Sequence, residues 1–92
     1  MKYSREFRLL DMYHRLSHGF SVCKSDESYR YGVSERSIQR DIDAIRNFLS
    51  DRAVIYGSDN RCIRYCHKKK TYQMIEDYQD RSVNKVLFAS LS

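Results

Sequence analysis

Five side chains within residues 34–40, Ser34, Arg36, Ser37, Gln39 and Arg40, gather the groups that hydrogen-bond to phosphates and to the polar edges of bases. Arg and Gln can each make paired hydrogen bonds to one base edge, worth about 1–3 kcal/mol of discrimination per contact. Ser hydroxyls bond phosphate oxygens, and so set position rather than preference. A second cluster follows in RCIRYCHKKK, residues 61–70, where Arg61, Arg64, Lys68, Lys69 and Lys70 stand with no acid among them. Across the chain 17 Lys and Arg face 12 Asp and Glu, so the net charge of +5 equals what this one segment supplies. Charge focused in this way suits a polyanion, whose counterions it would release on binding.

Other chemistries find less support. Cys62, Cys66 and His67, joined by Cys23 or by the i, i+4 pair His14 and His18, are soft ligands of the kind that hold zinc. A strand through Cys66 and His67 would send them to opposite faces, and the Cys-x3-Cys lacks a second pair, so no metal is expected. Buried thiols and surface histidines are the expectation. No nucleophile stands with a plausible base, no glycine-rich phosphate loop is present, and Glu76 and Asp77 fall in a connecting stretch, so neither catalysis nor a cofactor is expected. An odd count of 3 Cys argues against a disulfide scaffold. No apolar run approaches the roughly 18–20 residues of a membrane span, and the basic start MKYSREFR lacks a cleavage site, which predicts a soluble chain of the cytoplasm.

The elements that must carry these groups are legible because the chain of 92 residues has no Pro and only 3 Gly. At 41% hydrophobic, with 8 Tyr and 4 Phe, it can build one modest core. Phe7, Leu9, Leu10, Met12, Tyr13 and Leu16 step by threes and fours between Ser4 and Ser17, which predicts a first helix closed by Gly19. A second helix of barely two turns, Ser25 to Tyr31, ends at Gly32. Ser34 then caps a third, with Glu35 in its first turn. There Ile38, Ile42, Ile45 and Leu49 form one buried stripe, so Arg36 and Arg40 face the other way with Ser37 and Gln39 on the shoulders. Arg40 has a second expected fate, an ion pair with a nearby acid such as Asp41. Residues 50–61 read as the least ordered loop. Alternation in Cys62–Cys66 and Thr71–Met74 predicts a hairpin around HKKK. Tyr3, Tyr13, Tyr29, Tyr31, Tyr65 and Tyr72 are expected to pack as core and shoulders rather than to stack on bases.

Three helices and a two-stranded wing make a winged helix-turn-helix, mainly α with a small β-hairpin. The string YGVSERSIQRDIDAIRNFL, Tyr31 to Leu49, resembles the recognition helix of DeoR-type bacterial regulators, and specifically the N-terminal domain of WYL-domain transcription factors, where the pattern runs fgVSeRTIqRDIdaLr. IRYCHKKKTYQM, Ile63 to Met74, is similar to the family's wing, and the likeness covers most of residues 5–75. Glu27 stands where many relatives place Leu, which predicts a second helix packed less deeply or shifted in register. Thr71 stands where relatives often have Gly in the wing turn.

The resemblance implies sequence-specific binding of double-stranded DNA in transcription regulation, with helix 34–49 in the major groove and the basic wing 67–71 on phosphates or in the minor groove. Ser34, Arg36, Ser37, Gln39, Arg40, Lys68, Lys69 and Lys70 are the expected DNA-binding residues. Residues 1–79 would form this domain, and residues 80–92 the start of a helix leading toward a ligand-sensing domain, the expected site of any effector, which these 92 residues do not contain. Val83, Val86, Leu87 and Leu91 give that stretch an apolar face expected to fold back on the core or, preferentially, to pair with a second copy as a homodimer. The alternative reading is a winged-helix module for protein interaction or dimerisation, without specific readout.

Overall fold

The computed structural model describes residues 3–57 and 60–76. Helix α1 (Arg5–Ser17) opens where Ser4 Oγ accepts the Phe7 N–H at 3.0 Å. Helix α2 (Lys24–Tyr31) stops at Gly32, whose φ of 67° is left-handed, and the Val33 N–H returns to Ser28 O at 3.1 Å. That conformation places a Cβ close to the following carbonyl, so glycine is the residue that takes it without cost. Two residues later Ser34 caps helix α3 (Glu35–Tyr56), accepting the Ser37 N–H at 3.1 Å. Strands β1 (Arg61–Cys66) and β2 (Thr71–Glu76) pair antiparallel, with Cys66 opposite Thr71 and Arg61 opposite Glu76. The chain is thus mainly helical with one small hairpin, the layout of a winged helix.

The core collects Met12 and Leu16 from α1, Tyr31 from α2, the stripe Ile38, Ile42, Ile45 and Leu49 from α3, Ile63 and Tyr72 from the hairpin, and Val22. Each fully buried aliphatic contributes about 1.5–3 kcal/mol. Val22 also exchanges both backbone hydrogen bonds with Tyr72, at 2.9 and 2.7 Å, and so fastens the hairpin to the segment between α1 and α2. Among the described residues no helix is long and apolar enough to cross a membrane.

Three charged side chains lie inside. Asp41 is fully buried and accepts from Arg8 Nε at 2.6 Å, Arg8 Nη2 at 3.2 Å and Arg5 Nε at 3.2 Å. The hydrogen bond to Asp41 raises the pKa of Arg8 further above its ordinary value. Glu27 receives both terminal nitrogens of Arg15, at 2.9 and 2.6 Å. Arg15 also donates to Tyr31 Oη at 2.9 Å, and Tyr31 Oη donates to Asp11 Oδ2 at 2.5 Å. Burial, followed by the bond to Asp11, pushes the Tyr31 phenol up to about 12. Buried ions are tolerated only when paired this fully.

Several expectations are corrected. Glu27 does not loosen α2: it is 2% exposed and packs inward as a salt-bridged residue in the place of an apolar one. Residues 50–56 are helix, not loop, because no Gly or Pro interrupts them before Gly57 and the Arg52 guanidinium lies over the rings of Phe48 and Tyr56, at 5.9 and 4.8 Å. These last turns overhang the core and leave Val54, Ile55 and Tyr56 exposed, so they carry no buried stripe for a sequence pattern to reveal. Tyr29 does not pack: it is 92% exposed, because Glu27 and Tyr31 define the buried side of α2 and a residue two positions from each points away. The expected helix in 80–92 lies outside the described residues.

Candidate nucleic-acid interface

The N-terminal half of α3 is held by its buried stripe, and this determines what its other side offers. Arg36 and Arg40 are exposed on the face opposite the isoleucines, one helical turn apart. Neither forms an ion pair or hydrogen bond among the described residues. In particular Arg40 does not pair with Asp41. Consecutive helical residues point about 100° apart, so Asp41 joins the buried stripe beside Ile38 and Ile45 while Arg40 stays in solvent.

Ser34 and Ser37 sit at the helix N-terminus with their hydroxyl oxygens 3.2 Å apart. Ser34 is exposed and engaged as the cap, and Ser37 is half-buried. The free amides of this first turn and the positive end of the helix dipole favour an anion, although Glu35 stands beside them. Gln39 is half-buried and engaged at both ends of its amide: its Oε1 accepts from Tyr72 Oη at 3.0 Å and its Nε2 donates to Asp43 Oδ1 at 3.1 Å, which leaves one lone pair and one N–H of the amide. Asp43 also lies 3.7 Å from Arg46 Nη1, and it places an exposed negative charge one turn beyond Gln39.

The hairpin brings the lysines of the second cluster toward the first, while Arg61, at the other end of β1, donates to Tyr13 Oη of α1 at 2.9 Å. Tyr72 touches Gln39, and Lys70 precedes Tyr72 by two residues, so the turn lies about 7 Å of strand from that contact. Lys68, Lys69 and Lys70 are all exposed in the four-residue connection 67–70 and make no ion pair among the described residues. The turn closes without glycine because Lys70 itself adopts a positive φ of 56°. His67 packs edge-on against Tyr65, at 4.8 Å between ring centres.

Some exposed cationic or aromatic groups were not among the expected binding residues. Arg64 lies on the outward side of β1 opposite exposed Gln73. The alternation that buries Ile63 was its signal. Tyr29 and Arg30 stand on the outer side of α2, where the four-residue step from Glu27 to Tyr31 was the sign, obscured by the charge at position 27.

No metal centre assembles from the described residues: no group of three or more His, Cys, Asp and Glu could hold an ion. His14 and His18 stack at 4.2 Å, with His18 Nδ1 2.7 Å from His14 O. Cys23, Cys62 and Cys66 are half-buried free thiols, and a hydrogen bond with Ser25 lowers the pKa of Cys23. Comparison of the chain with family models, with curated proteins and with solved structures gives no match.

Proposed function

We propose that this chain binds double-stranded DNA with sequence preference, as the DNA-reading domain of a transcriptional regulator of the DeoR and WYL-domain type. The observation that carries the reading is the pair Arg36 and Arg40, exposed and without an intramolecular partner among the described residues on the first turns of a helix whose other side is anchored in the core. An unpartnered arginine pair on a projecting helix face is what a major groove accepts. The helix enters by its first two turns, because Asp43 repels phosphate beyond them. Arg36, Gln39 and Arg40 meet bases, and Ser34 and Ser37 meet phosphate. The lysines of the turn bind phosphates or the minor groove edge and supply most of the affinity. The string VSERSIQRDI supports the family assignment, and with it a cytoplasmic regulator that performs no catalysis.

The test is a mobility-shift titration with a duplex selected from random sequence and with a scrambled control, across a salt series. Binding should be modest and fall steeply as salt rises, since one helix and one wing make half of a usual dimeric site. No retention of any duplex at about 50 mM salt would remove the reading. A second reading, a protein-interaction module, draws on exposed Val54 and Ile55 at the end of α3, and predicts association that salt does not weaken.

A further inference from the structure

We propose, resting on the reading of α3 as a major-groove helix, that Gln39 selects adenine, held in one orientation by Tyr72 and Asp43. Gln39 stands three residues after Arg36 and next to Arg40. Its Nε2 donates to Asp43 Oδ1 at 3.1 Å and its Oε1 accepts from Tyr72 Oη at 3.0 Å. Both partners are themselves held. Tyr72 is buried, exchanges both backbone hydrogen bonds with Val22, and packs its ring 4.7 Å from that of Tyr65. Asp43 lies 3.7 Å from Arg46, whose guanidinium sits 5.5 Å over the Tyr72 ring. A glutamine in solvent turns about its last bond and offers either end to a base. Turning Gln39 over would set its carbonyl oxygen against the Asp43 carboxylate, acceptor against acceptor.

An amide held in this way has given away one N–H and one lone pair and keeps one of each. The four bases differ in how they meet that remainder. Adenine presents a donor, its N6 amino group, beside an acceptor, N7, and so satisfies both groups. Thymine offers one acceptor and a methyl, and cytosine one donor, so each satisfies a single group. Guanine presents two acceptors, O6 and N7, which a glutamine with both N–H groups available could approach, but Gln39 has one N–H to give and would turn its lone pair on the second acceptor. Arg36 and Arg40 carry donors alone and suit guanine, so a preference for adenine is the mark of Gln39 rather than of its neighbours. Orientation before binding also spares the ordering of a flexible side chain on the duplex.

The experiment is selection of duplexes from random sequence by the full chain, by Gln39→Ala and by Tyr72→Phe, followed by titration of the parent chain on its selected duplex with 7-deazaadenine, which pairs normally but lacks N7, at each adenine in turn. The parent should enrich one adenine position at which Gln39→Ala accepts all four bases. Any other base pair there should weaken parent binding about tenfold, and 7-deazaadenine there should weaken it several-fold. Tyr72→Phe should relax the same position and leave the preferences at the others in place, which a loss of general stability would not do. If Gln39→Ala relaxes a position that is not adenine, or none, the proposal falls while the DNA-binding reading stands. The same follows if 7-deazaadenine binds as adenine does at every adenine of the site, a result that uses the parent chain and so does not depend on how the variants fold. Retention of the adenine preference by Tyr72→Phe would overturn the positioning role. If the parent enriches no sequence at all, the reading and the proposal fall together.

Discussion

The hydroxyl of Tyr72 in β2 donates to Gln39 Oε1 in α3 at 3.0 Å, while Gln39 Nε2 donates to Asp43, so the amide is held at both ends. An ionised carboxylate can only accept, which turns the nitrogen toward Asp43 and the oxygen toward the hairpin. Arg46 closes the circuit, 3.7 Å from Asp43 and 5.5 Å over the Tyr72 ring. The hairpin thereby sets the orientation of a side chain on the helix face proposed to read DNA.

Tyr72→Phe tests that link. The ring stays in the core, and the loss of one hydrogen bond costs about 1 kcal/mol of stability. Affinity for a selected duplex should fall while affinity for a scrambled one holds, as Gln39 loses its orientation. Equal losses on both duplexes would show that Tyr72 acts through general stability alone.

Arg36→Ala and Arg40→Ala should each change folding stability by less than about 0.5 kcal/mol, since neither side chain has a partner among the described residues. Each should lower affinity for the selected duplex by about 1–3 kcal/mol. Replacing Lys68, Lys69 and Lys70 with Ala should weaken all duplexes alike and flatten the slope of log K against log salt by about 0.9 per lost phosphate contact. Were the lysine variant to lose sequence preference and the arginine variants only general affinity, the wing would be the reader.

Asp41→Ala should act oppositely to Arg40→Ala, although the residues are neighbours. It leaves Arg8 buried without its carboxylate, a change that costs about 3–5 kcal/mol. Denaturant titration of the two variants separates the roles, and comparable stabilities would refute the placement of Asp41 in the core.

Glu27→Ala should cost about 1–3 kcal/mol by removing two charged hydrogen bonds from Arg15, which keeps Asp11 and Tyr31 as partners, whereas Glu27→Leu combined with Arg15→Met should recover most of that loss, because packed apolar groups avoid the desolvation of both ions. A double variant less stable than Glu27→Ala would mean that the ion pair does more than fill its space.

Stability should fall between about pH 10 and 12, in part through Tyr31. Its phenol titrates at about 12 when folded against an ordinary value of 10.0, so over that window the unfolded chain has released a proton that the folded chain keeps. The contribution is fully present below pH 10 and is lost as pH rises through 12, on the order of 2 kcal/mol. Denaturant titrations of Tyr31→Phe and the parent chain across this range should converge as pH rises. Parallel curves would exclude the effect.

Local pattern determined much of this protein. The three- and four-residue steps of Ile38, Ile42, Ile45 and Leu49, the cap at Ser34 and the stop at Gly32 establish the helix and its outward arginines, because hydrophobic period and capping depend on residues a few positions apart. Alternation likewise located the hairpin, including Ile63 inward and Arg64 outward. Even the separation of Arg40 from Asp41 was implicit in helical geometry.

Tertiary structure decided what depends on partners far along the chain. Asp41 is buried because Arg8, 33 residues earlier, reaches it, and Glu27 is buried because Arg15 does. No local rule places a charge in a core. The engagement of Gln39 by Tyr72 joins residues 33 apart. In each case the free energy comes from pairing across elements, which spacing along one element does not encode.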